Sequence, residues 1–296
     1  MFSGAYVAIV TPFKETKEGE AGDVDFEKLK ELVRFQIEAG ISGVVPCGTT
    51  GESATLSFDE HKEVIETVIA VAKKKAKVIA GTGSNNTLEA IRLTQFAEKA
   101  GADGALLISP YYTKPTQSGL YLHFKAVSCS VRIPIVLYNI QSRTAVNIAP
   151  ETIAKLATDC HNIVGVKEAS GSLDQMTNIK ALAPRLALLS GDDALTLPLL
   201  SIGGTGVISV VANIVPRDVQ EMVAAYFSGN IKKAQKIHYK LYPLVKALFI
   251  ETNPIPVKTA MGILGMCSAV MRLPMSPMEK TNVDKLKKVL KEYGLL

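Results

Sequence analysis

The sequence has few of the residues that build disulfide frameworks and metal sites. Its four cysteines are too few and too scattered for a disulfide framework or a CxxC metal knuckle. Its four histidines form no HExxH pair. No apolar run approaches the roughly 18 residues that a membrane-spanning helix needs. The sequence therefore predicts no metal site and no membrane span.

The basic charge of the chain does not indicate nucleic-acid binding. The formal net charge is +5, but the 33 basic residues are interleaved with 28 acidic ones. Aromatic residues do not flank the basic runs, as they would in a nucleic-acid-binding surface. The stretch MFSGAYVAIVTPFKE lacks a basic segment before its apolar residues, so it predicts a strand rather than a signal peptide. We expect a cytoplasmic protein without a nucleic-acid partner.

Short β-branched runs alternate with longer amphipathic ones, the pattern of repeated βα units. Eight strands are predicted. They are YVAIVTPF from Tyr6, GVVPCG from Gly43, KVIAGTG from Lys77, GALLISPYY from Gly104, PIVLYN from Pro134, IVGVKEAS from Ile163, LALLSGDD from Leu186 and GVISVVAN from Gly206. Eight units in about 225 residues indicate a (β/α)₈ TIM barrel, ahead of a doubly wound sheet with its five to seven strands.

The strand pattern stops after Gly229. Three segments beyond it have helical patterns, namely NIKKAQKIHYKLYPLVKALF, PVKTAMGILGMCSAV and SPMEKTNVDKLKKVLKEYG, and prolines punctuate them. The sequence predicts a catalytic barrel domain over 1–229 and a C-terminal helical appendage over 230–296.

One lysine stands at the end of a predicted barrel strand, where catalytic groups collect. By the strand period of two, Ile163, Gly165 and Lys167 share a face, and Gly165 leaves space below the lysine stem. Glu168 points the other way and cannot neutralise the amine. Desolvation without a paired carboxylate favours the neutral amine, which can form a Schiff base with a carbonyl. A snorkelling lysine, or one paired with Asp192 or Asp193, is the alternative.

Two further strand ends suit the same chemistry. Tyr138 ends the neighbouring strand, and its phenol can shuttle the proton that expels the carbinol oxygen as water. The turn GTTGES (48–53) offers successive backbone N–H groups and two hydroxyls, which suit a carboxylate or a phosphate. The glycines of SIGGTG precede the last strand, and GTGSNN lacks the third glycine of a dinucleotide fingerprint. We therefore expect no nucleotide cofactor.

Seven segments in order, GTTGES, PYYTKPTQSGLYLHF, YNIQSRT, VGVKEAS, SGDD, GVISV and ETNPIPVKTA, resemble the 4-hydroxy-tetrahydrodipicolinate synthase (dihydrodipicolinate synthase) family across essentially the whole chain. The resemblance implies a lyase without metal or organic cofactor, acting on pyruvate and L-aspartate 4-semialdehyde in lysine biosynthesis through diaminopimelate. It also implies a homotetramer built as a dimer of dimers. The resemblance implies that Lys167 is the Schiff-base lysine. It implies that Thr49, Tyr138 and Tyr112 form a proton relay, in which Tyr112 reaches into the neighbouring subunit's site. It also assigns Thr50 and Ile208 to pyruvate binding and Arg143 to the carboxylate of the second substrate.

This chain departs from the family pattern at two places. Gln141 replaces the usual proline of YNIPSRT, so the loop that carries Arg143 is expected to be less rigid. Phe58 stands where lysine-inhibited members often have histidine, which leaves feedback regulation open. The positions that the resemblance assigns to inhibitory lysine are Ser53, Ala54, Phe58, His61, Asn85, Glu89 and Tyr111.

Two alternatives to this function remain at the level of sequence. Another pyruvate aldolase of the superfamily, for N-acetylneuraminate or a 2-keto-3-deoxy sugar acid, would share Lys167 and Tyr138 and differ in its second substrate. GTTGES, Tyr112 and Arg143 favour an amino-acid semialdehyde over a sugar. A keto-acid sensor on the same barrel would bind without turnover, and the complete relay argues against it.

Overall fold

Eight parallel strands close into a barrel, as predicted. The computed structural model of the chain describes residues 2–73 and 75–296. Each barrel strand pairs with the next along the chain, and the last pairs with the first. The strands are β1 (Gly4–Ala8), the hairpin β2 (Phe13–Glu15) and β3 (Ala21–Val24), then β4 (Gly43–Val45), β5 (Lys77–Gly81), β6 (Gly104–Ile108), β7 (Ile135–Asn139), β8 (Ile163–Glu168), β9 (Ala187–Ser190) and β10 (Gly206–Ser209).

The antiparallel hairpin β2–β3 lies outside the barrel and is absent from the predicted strands. The first predicted strand ran from Tyr6 through Phe13, whereas β1 ends at Ala8 and the chain then turns into the hairpin. The residues Ile9, Val10 and Thr11 after β1 are as β-branched as the strand itself, so the composition does not mark the end of β1.

Helices connect the barrel strands on the outside. They are α1 (Phe26–Glu38), α2 (Phe58–Ala72), α3 (Thr87–Ala100), α4 (Gln117–Cys129), α5 (Gln141–Thr144), α6 (Pro150–Asp159), α7 (Leu173–Leu182), α8 (Thr196–Ser201) and α9 (Pro216–Phe227). Ser57 and Glu60 form a capping box at the start of α2, which stabilises a helix terminus by about 1 kcal/mol. No helix within the described ranges is long and apolar enough to cross a bilayer.

The C-terminal region contains three helices, α10 (Ile231–Ala247), α11 (Ile255–Ile263) and α12 (Lys280–Tyr293). The helix predicted over 256–270 ends early, because Gly265 adopts a left-handed conformation with φ 69°. Apolar residues of all three helices, including Leu244, Val257 and Leu286, join one core cluster with β1 and α1. The proposed boundary at residue 229 stays a prediction.

The strand β8 carries an irregularity that corrects one prediction. Its pairing with β7 shifts register between Ile135↔Ile163 and Val136↔Gly165. Ile163 therefore packs with Val166 in the cluster under the outer helices, while Val164 packs against the barrel interior. The prediction that Ile163 shares a face with Lys167 is wrong, because an extra residue in one strand interrupts the period of two.

A forked ion pair attaches the C-terminal region to the barrel. Arg272 Nη2 donates to Glu60 Oε1 at 2.6 Å, and Nη1 donates to Glu60 Oε2 at 2.8 Å. The same guanidinium donates to the carbonyl oxygens of Thr55 and Gly22, both at 3.0 Å. It joins the start of α2, the hairpin and the chain after α11 at one point, with the bidentate geometry that makes arginine pairs strong.

Replacing Glu60 with glutamine should lower stability at neutral pH much more than in acid. The Arg272 guanidinium lowers the pKa of Glu60 to about 2. A carboxyl with a lowered folded-state pKa stabilises the fold above its unfolded-state pKa, and this contribution is lost as the pH falls toward the folded value. We expect Glu60→Gln to lower the free energy of unfolding by about 2 kcal/mol at pH 7.

Urea unfolding at several pH values checks this expectation. The difference between wild type and Glu60→Gln should shrink as the pH is lowered from 4.5 to 3. Glu66→Gln, an exposed change on the same helix, is the matched control and should show no such trend. An equal effect of Glu60→Gln at pH 7 and pH 3 would contradict the assigned role of the ion pair.

Candidate active site

The paired ends of β7 and β8 bring a lysine and a tyrosine together inside the barrel mouth. Tyr138 and Lys167 are register partners on adjacent strands. The Nζ atom of Lys167 lies 4.1 Å from the centroid of the Tyr138 ring. Both side chains are buried, with 6% of Lys167 and 5% of Tyr138 exposed. The amine therefore rests against the phenol and does not snorkel into solvent.

Neighbouring carboxylates have partners other than Lys167. Glu168 is fully buried and accepts hydrogen bonds from Asn139 Nδ2, Gln175 Nε2 and the Ser170 amide at 2.8–3.2 Å. Asp193 Oδ2 accepts from the amides of Val210 and Val211 at 2.9 and 3.1 Å.

Asp192 Oδ1 accepts from the Ala194 amide at 2.8 Å. The Lys167 Nζ atom has no ion pair or hydrogen bond with any residue in the described part of the chain. Lys167 is therefore not paired with Asp192 or Asp193, the alternative that the sequence left open.

Gly191 makes room for the lysine stem. A Cβ atom added at Gly191 would lie 3.1 Å from Cε and 3.2 Å from Cγ of Lys167. A Cβ added at Gly165 would instead meet the carbonyl oxygen and Cβ of Ala187 at 3.0 and 3.2 Å. The prediction that Gly165 opens space for the lysine is corrected, since Gly165 serves close packing against β9.

The turn after β4 presents unused backbone donors near this pair. The amides of Glu52 and Ser53 close the turn on the carbonyls of Thr49 and Gly48. Within residues 2–73 and 75–296, the amides of residues 48–51 find no hydrogen-bond acceptor. Free amides in a compact turn suit an anionic ligand group.

A cavity of about 330 Å³ opens over this turn. Thr49, Tyr138 and Arg143 line it together with Gly48 and Asn253. Thr50 lies buried beside Thr49, and Ile208 packs in the same interior cluster as Tyr138. Three of the seven predicted catalytic and substrate residues therefore line one opening. Lys167 lies against Tyr138, Thr50 is hydrogen-bonded to Asn253, and Ile208 shares the interior cluster with Tyr138.

Tyr112 is the predicted relay residue that the single chain does not bring to the cavity. Its side chain is 88% exposed, and its backbone is left-handed with φ 71°. It does not line the cavity, although Tyr111 does. A bulky residue in this conformation is uncommon and costs about 1–3 kcal/mol, so the surrounding loop must hold the Tyr112 backbone in place.

Asn253, before α11, connects two of the predicted binding residues. Its Nδ2 donates to Thr50 Oγ1 at 3.0 Å, and its carbonyl oxygen accepts from Arg143 Nη2 at 3.1 Å. Arg143 lies in the one-turn helix α5, where Gln141 occupies the first position and the amides of Arg143 and Thr144 both donate to Ile140. The turn is closed by hydrogen bonds without the usual proline.

Five of the seven positions predicted for inhibitory lysine line the same cavity, and Phe58 and Asn85 do not. Ser53, Ala54, His61, Glu89 and Tyr111 line it, and Asn85 Nδ2 donates to the Tyr111 carbonyl at 3.4 Å.

His61 is the titratable ring of this group. His61 Nε2 lies 2.7 Å from the Gly81 carbonyl, so Nε2 carries the proton, and burial lowers the pKa of the ring. Phe58 lies half-exposed, with Lys62 Nζ 4.7 Å above its ring. No cluster of three or more His, Cys, Asp or Glu that could hold a metal occurs in the ranges that the structure describes.

Comparison with known proteins agrees with this geometry. The sequence profile of the Dihydrodipicolinate synthetase family matches residues 1–293. The chain belongs to this family. It is 60% identical over 296 residues to a 4-hydroxy-tetrahydrodipicolinate synthase of Endomicrobium trichonymphae, with 100% of both chains covered.

Solved structures of the family superpose closely on this chain. The crystal structure of dihydrodipicolinate synthase from Aquifex aeolicus has a TM-score of 0.96 at 50% identity, covering 99% of each chain. A monomeric dihydrodipicolinate synthase variant gives 0.95 at 45% identity, covering 100% of this chain and 98% of its own. The family resemblance inferred from the sequence segments is confirmed.

Gly191 and Asn253 are positions of the candidate site to which the sequence pattern assigned no role. Gly191 stands in the SGDD segment, but only the register of β8 with β9 shows that it faces the stem of Lys167. Asn253 lies outside the barrel strands, so a search of their ends could not reach it. The segment ETNPIPVKTA was the available signal for Asn253.

Gly191→Ala should hinder the reaction of Lys167 with a carbonyl. The added methyl would press on the lysine stem and also lie 2.6 Å from Ala169 Cβ. We expect the variant to fold but to form a borohydride-trapped adduct with pyruvate at least about tenfold more slowly, because a small displacement of a reacting group is costly.

The double variant Ala169→Gly/Gly191→Ala removes the clash with Ala169 and keeps the contact with Lys167. Mass spectrometry of the trapped peptide measures the adduct. If the double variant recovers the wild-type trapping rate, the contact with the lysine stem is not the cause.

Proposed function

We propose that the chain is a class I aldolase-type lyase, 4-hydroxy-tetrahydrodipicolinate synthase, which condenses pyruvate with L-aspartate 4-semialdehyde in lysine biosynthesis through diaminopimelate. The observation that carries the proposal is the buried Lys167 amine, 4.1 Å from the Tyr138 ring and without an ion pair in the described ranges. Relatives that match the whole chain carry the same enzyme name.

The proposed chemistry begins at Lys167. Its amine attacks the ketone carbon of pyruvate, and Tyr138 with Thr49 moves the proton that lets the carbinol oxygen leave as water. Loss of a methyl proton from the imine gives an enamine. The enamine carbon attacks the aldehyde of the second substrate, and the amino group of that substrate displaces Lys167 as the ring closes.

Binding of the two carboxylates follows from charge and donors. The free amides of residues 48–51, with the hydroxyls of Thr49 and Thr50, suit the carboxylate of pyruvate. Arg143 is exposed at the rim and hydrogen-bonded to the Asn253 carbonyl, which orients its guanidinium for the carboxylate of the semialdehyde. Ile208, buried in the interior cluster, borders the pyruvate position.

We also propose that the enzyme assembles as a homotetramer, a dimer of dimers, in which Tyr112 completes the relay of a neighbouring subunit. The exposed Tyr112 ring on a constrained backbone supports this arrangement. Five of the positions predicted for inhibitory lysine share the cavity with the catalytic residues, so a ligand bound there would contact the same walls.

Borohydride trapping tests the proposed function. Incubation with pyruvate and reduction should attach the keto acid to Lys167, located by mass spectrometry. An adduct on another lysine, or none, would contradict the mechanism.

Turnover with different acceptors forms the second part of that experiment. L-Aspartate 4-semialdehyde should be consumed at least about a hundredfold faster than N-acetylmannosamine or glyceraldehyde, since these lack the carboxylate for Arg143. Preference for a sugar aldehyde would favour the alternative aldolases. Trapping without turnover on any acceptor would favour a keto-acid sensor.

Tyr138→Phe should keep the fold and slow the reaction by about two orders of magnitude or more. The Tyr138 hydroxyl has no hydrogen-bond partner among the described residues, so its removal leaves no buried group unpaired. Steady-state turnover and thermal unfolding measure the two effects. Tyr121→Phe on α4 is the control with the same chemical change and should turn over normally, whereas a wild-type rate in Tyr138→Phe would remove the phenol from the relay.

A further inference from the structure

A fully buried ion pair connects α11 to the turn that carries Thr49 and Thr50. Lys258 Nζ donates to Glu52 Oε1 at 2.6 Å, and the two side chains are 0% and 1% exposed. Lys258 Nζ also donates to the Thr11 carbonyl at 3.1 Å and lies 4.3 Å from the centroid of the Phe13 ring. Three neighbours therefore surround the ammonium group.

Burying this ion pair costs free energy, so we expect it to have a role beyond stabilising the fold. Moving two charges out of water carries a desolvation cost of several kcal/mol per ion, and a well-packed apolar pair is often at least as stable. Burial lowers the pKa of Lys258, and the Glu52 carboxylate opposes that shift. Fold stability alone does not require this arrangement.

The ion pair is connected by hydrogen bonds to two adjacent residues of the turn. Glu52 is held directly, in a left-handed conformation with φ 51°, and its amide closes the turn on the Thr49 carbonyl. Gly51 is held through Thr11, whose Oγ1 donates to the Gly51 carbonyl at 2.7 Å. The remaining carboxylate oxygen of Glu52 accepts from the Arg272 amide at 3.3 Å. Lys258 therefore contacts Glu52 directly and Gly51 through Thr11.

We infer that Lys258 and Glu52 are positioning residues, whose buried ion pair holds the Thr49–Thr50 turn in the geometry that binds the keto acid. This inference rests on the proposed binding of pyruvate at the turn. Preorganised donors are effective only when their supporting residues are fixed, and a displacement of about 1 Å can cost a hundredfold in rate. Neither residue contacts the reacting atoms in this assignment. Glu52 lines the cavity, but both of its carboxylate oxygens are bonded, to Lys258 and to the Arg272 amide, so its effect passes through the turn.

The decisive variant is the double substitution Glu52→Met/Lys258→Met. It removes both charges together, so no unpaired charge stays buried, and the fold should survive with a melting temperature near that of wild type. We expect the half-saturating pyruvate concentration for trapping on Lys167 to rise about tenfold or more, with a matching rise in KM for pyruvate and a lower kcat. KM for the semialdehyde should change less than about threefold, because Arg143 is held separately.

Lys240→Met is the matched control. Lys240 also pairs with a carboxylate, Asp218 Oδ2 at 2.6 Å, and lies 4.6 Å from the centroid of the Tyr293 ring, but it joins the outer helices and does not line the cavity. Its loss should leave trapping and both KM values unchanged.

The outcomes separate this inference from the proposed function. If wild type forms no adduct with pyruvate, the proposed function fails. If wild type is trapped and the double variant has the same half-saturation and kcat, the pair is only structural and the inference is overturned.

Thr11→Val gives a second test that does not depend on the double variant folding. It removes the hydroxyl that holds Gly51 and keeps the backbone carbonyl that accepts from Lys258. A rise of about threefold or more in the half-saturating pyruvate concentration would support the positioning role. A wild-type value in a stably folded Thr11→Val would contradict it.

Discussion

The parallel pairing of β7 with β8 places Tyr138 beside Lys167, and the rest of the site is arranged around these two residues. Backbone hydrogen bonds of a closed barrel fix the register, so the distance between amine and phenol does not depend on flexible loops. The register shift earlier in β8 is compatible with this, because it ends before Gly165 and leaves the last four pairs regular. The barrel thus supplies rigidity at the place where the chemistry needs it.

Among the described residues, Lys167 is free of ion pairs because the buried carboxylates of Glu168 and Asp193 have other hydrogen-bond donors. Glu168 is the next residue along the strand, and its carboxylate is satisfied on the outer side by Asn139, Gln175 and the Ser170 amide. Asp193 is likewise satisfied by two backbone amides at the end of β10. Both buried acids accept hydrogen bonds from donors other than Lys167, which leaves the amine with the phenol as its neighbour.

The sequence predicted the barrel and placed Lys167 and Tyr138 at the ends of adjacent strands, and its failures have local physical causes. The eight strands and the position of Lys167 followed from alternation of β-branched runs, a signal that each segment carries by itself. The face shared by Ile163 failed because an irregularity in pairing is a property of two strands together. Gly191 was read as part of a strand end, but its contact with the lysine stem depends on how β9 lies against β8. Periodicity within one segment contains neither kind of information.

The contribution of the C-terminal helices was the hardest part to see in advance. They were predicted as an appendage because their sequence carries no strand signal and stands after the eighth βα unit. Yet Asn253 reaches Thr50, and Lys258 reaches Glu52, across more than 200 residues of sequence. Both contacts end on the same turn after β4, so the segment after residue 229 supports the turn that is proposed to bind the keto acid. A boundary drawn from strand counting can describe how the chain is organised, but the site itself is built by residues from both sides of it.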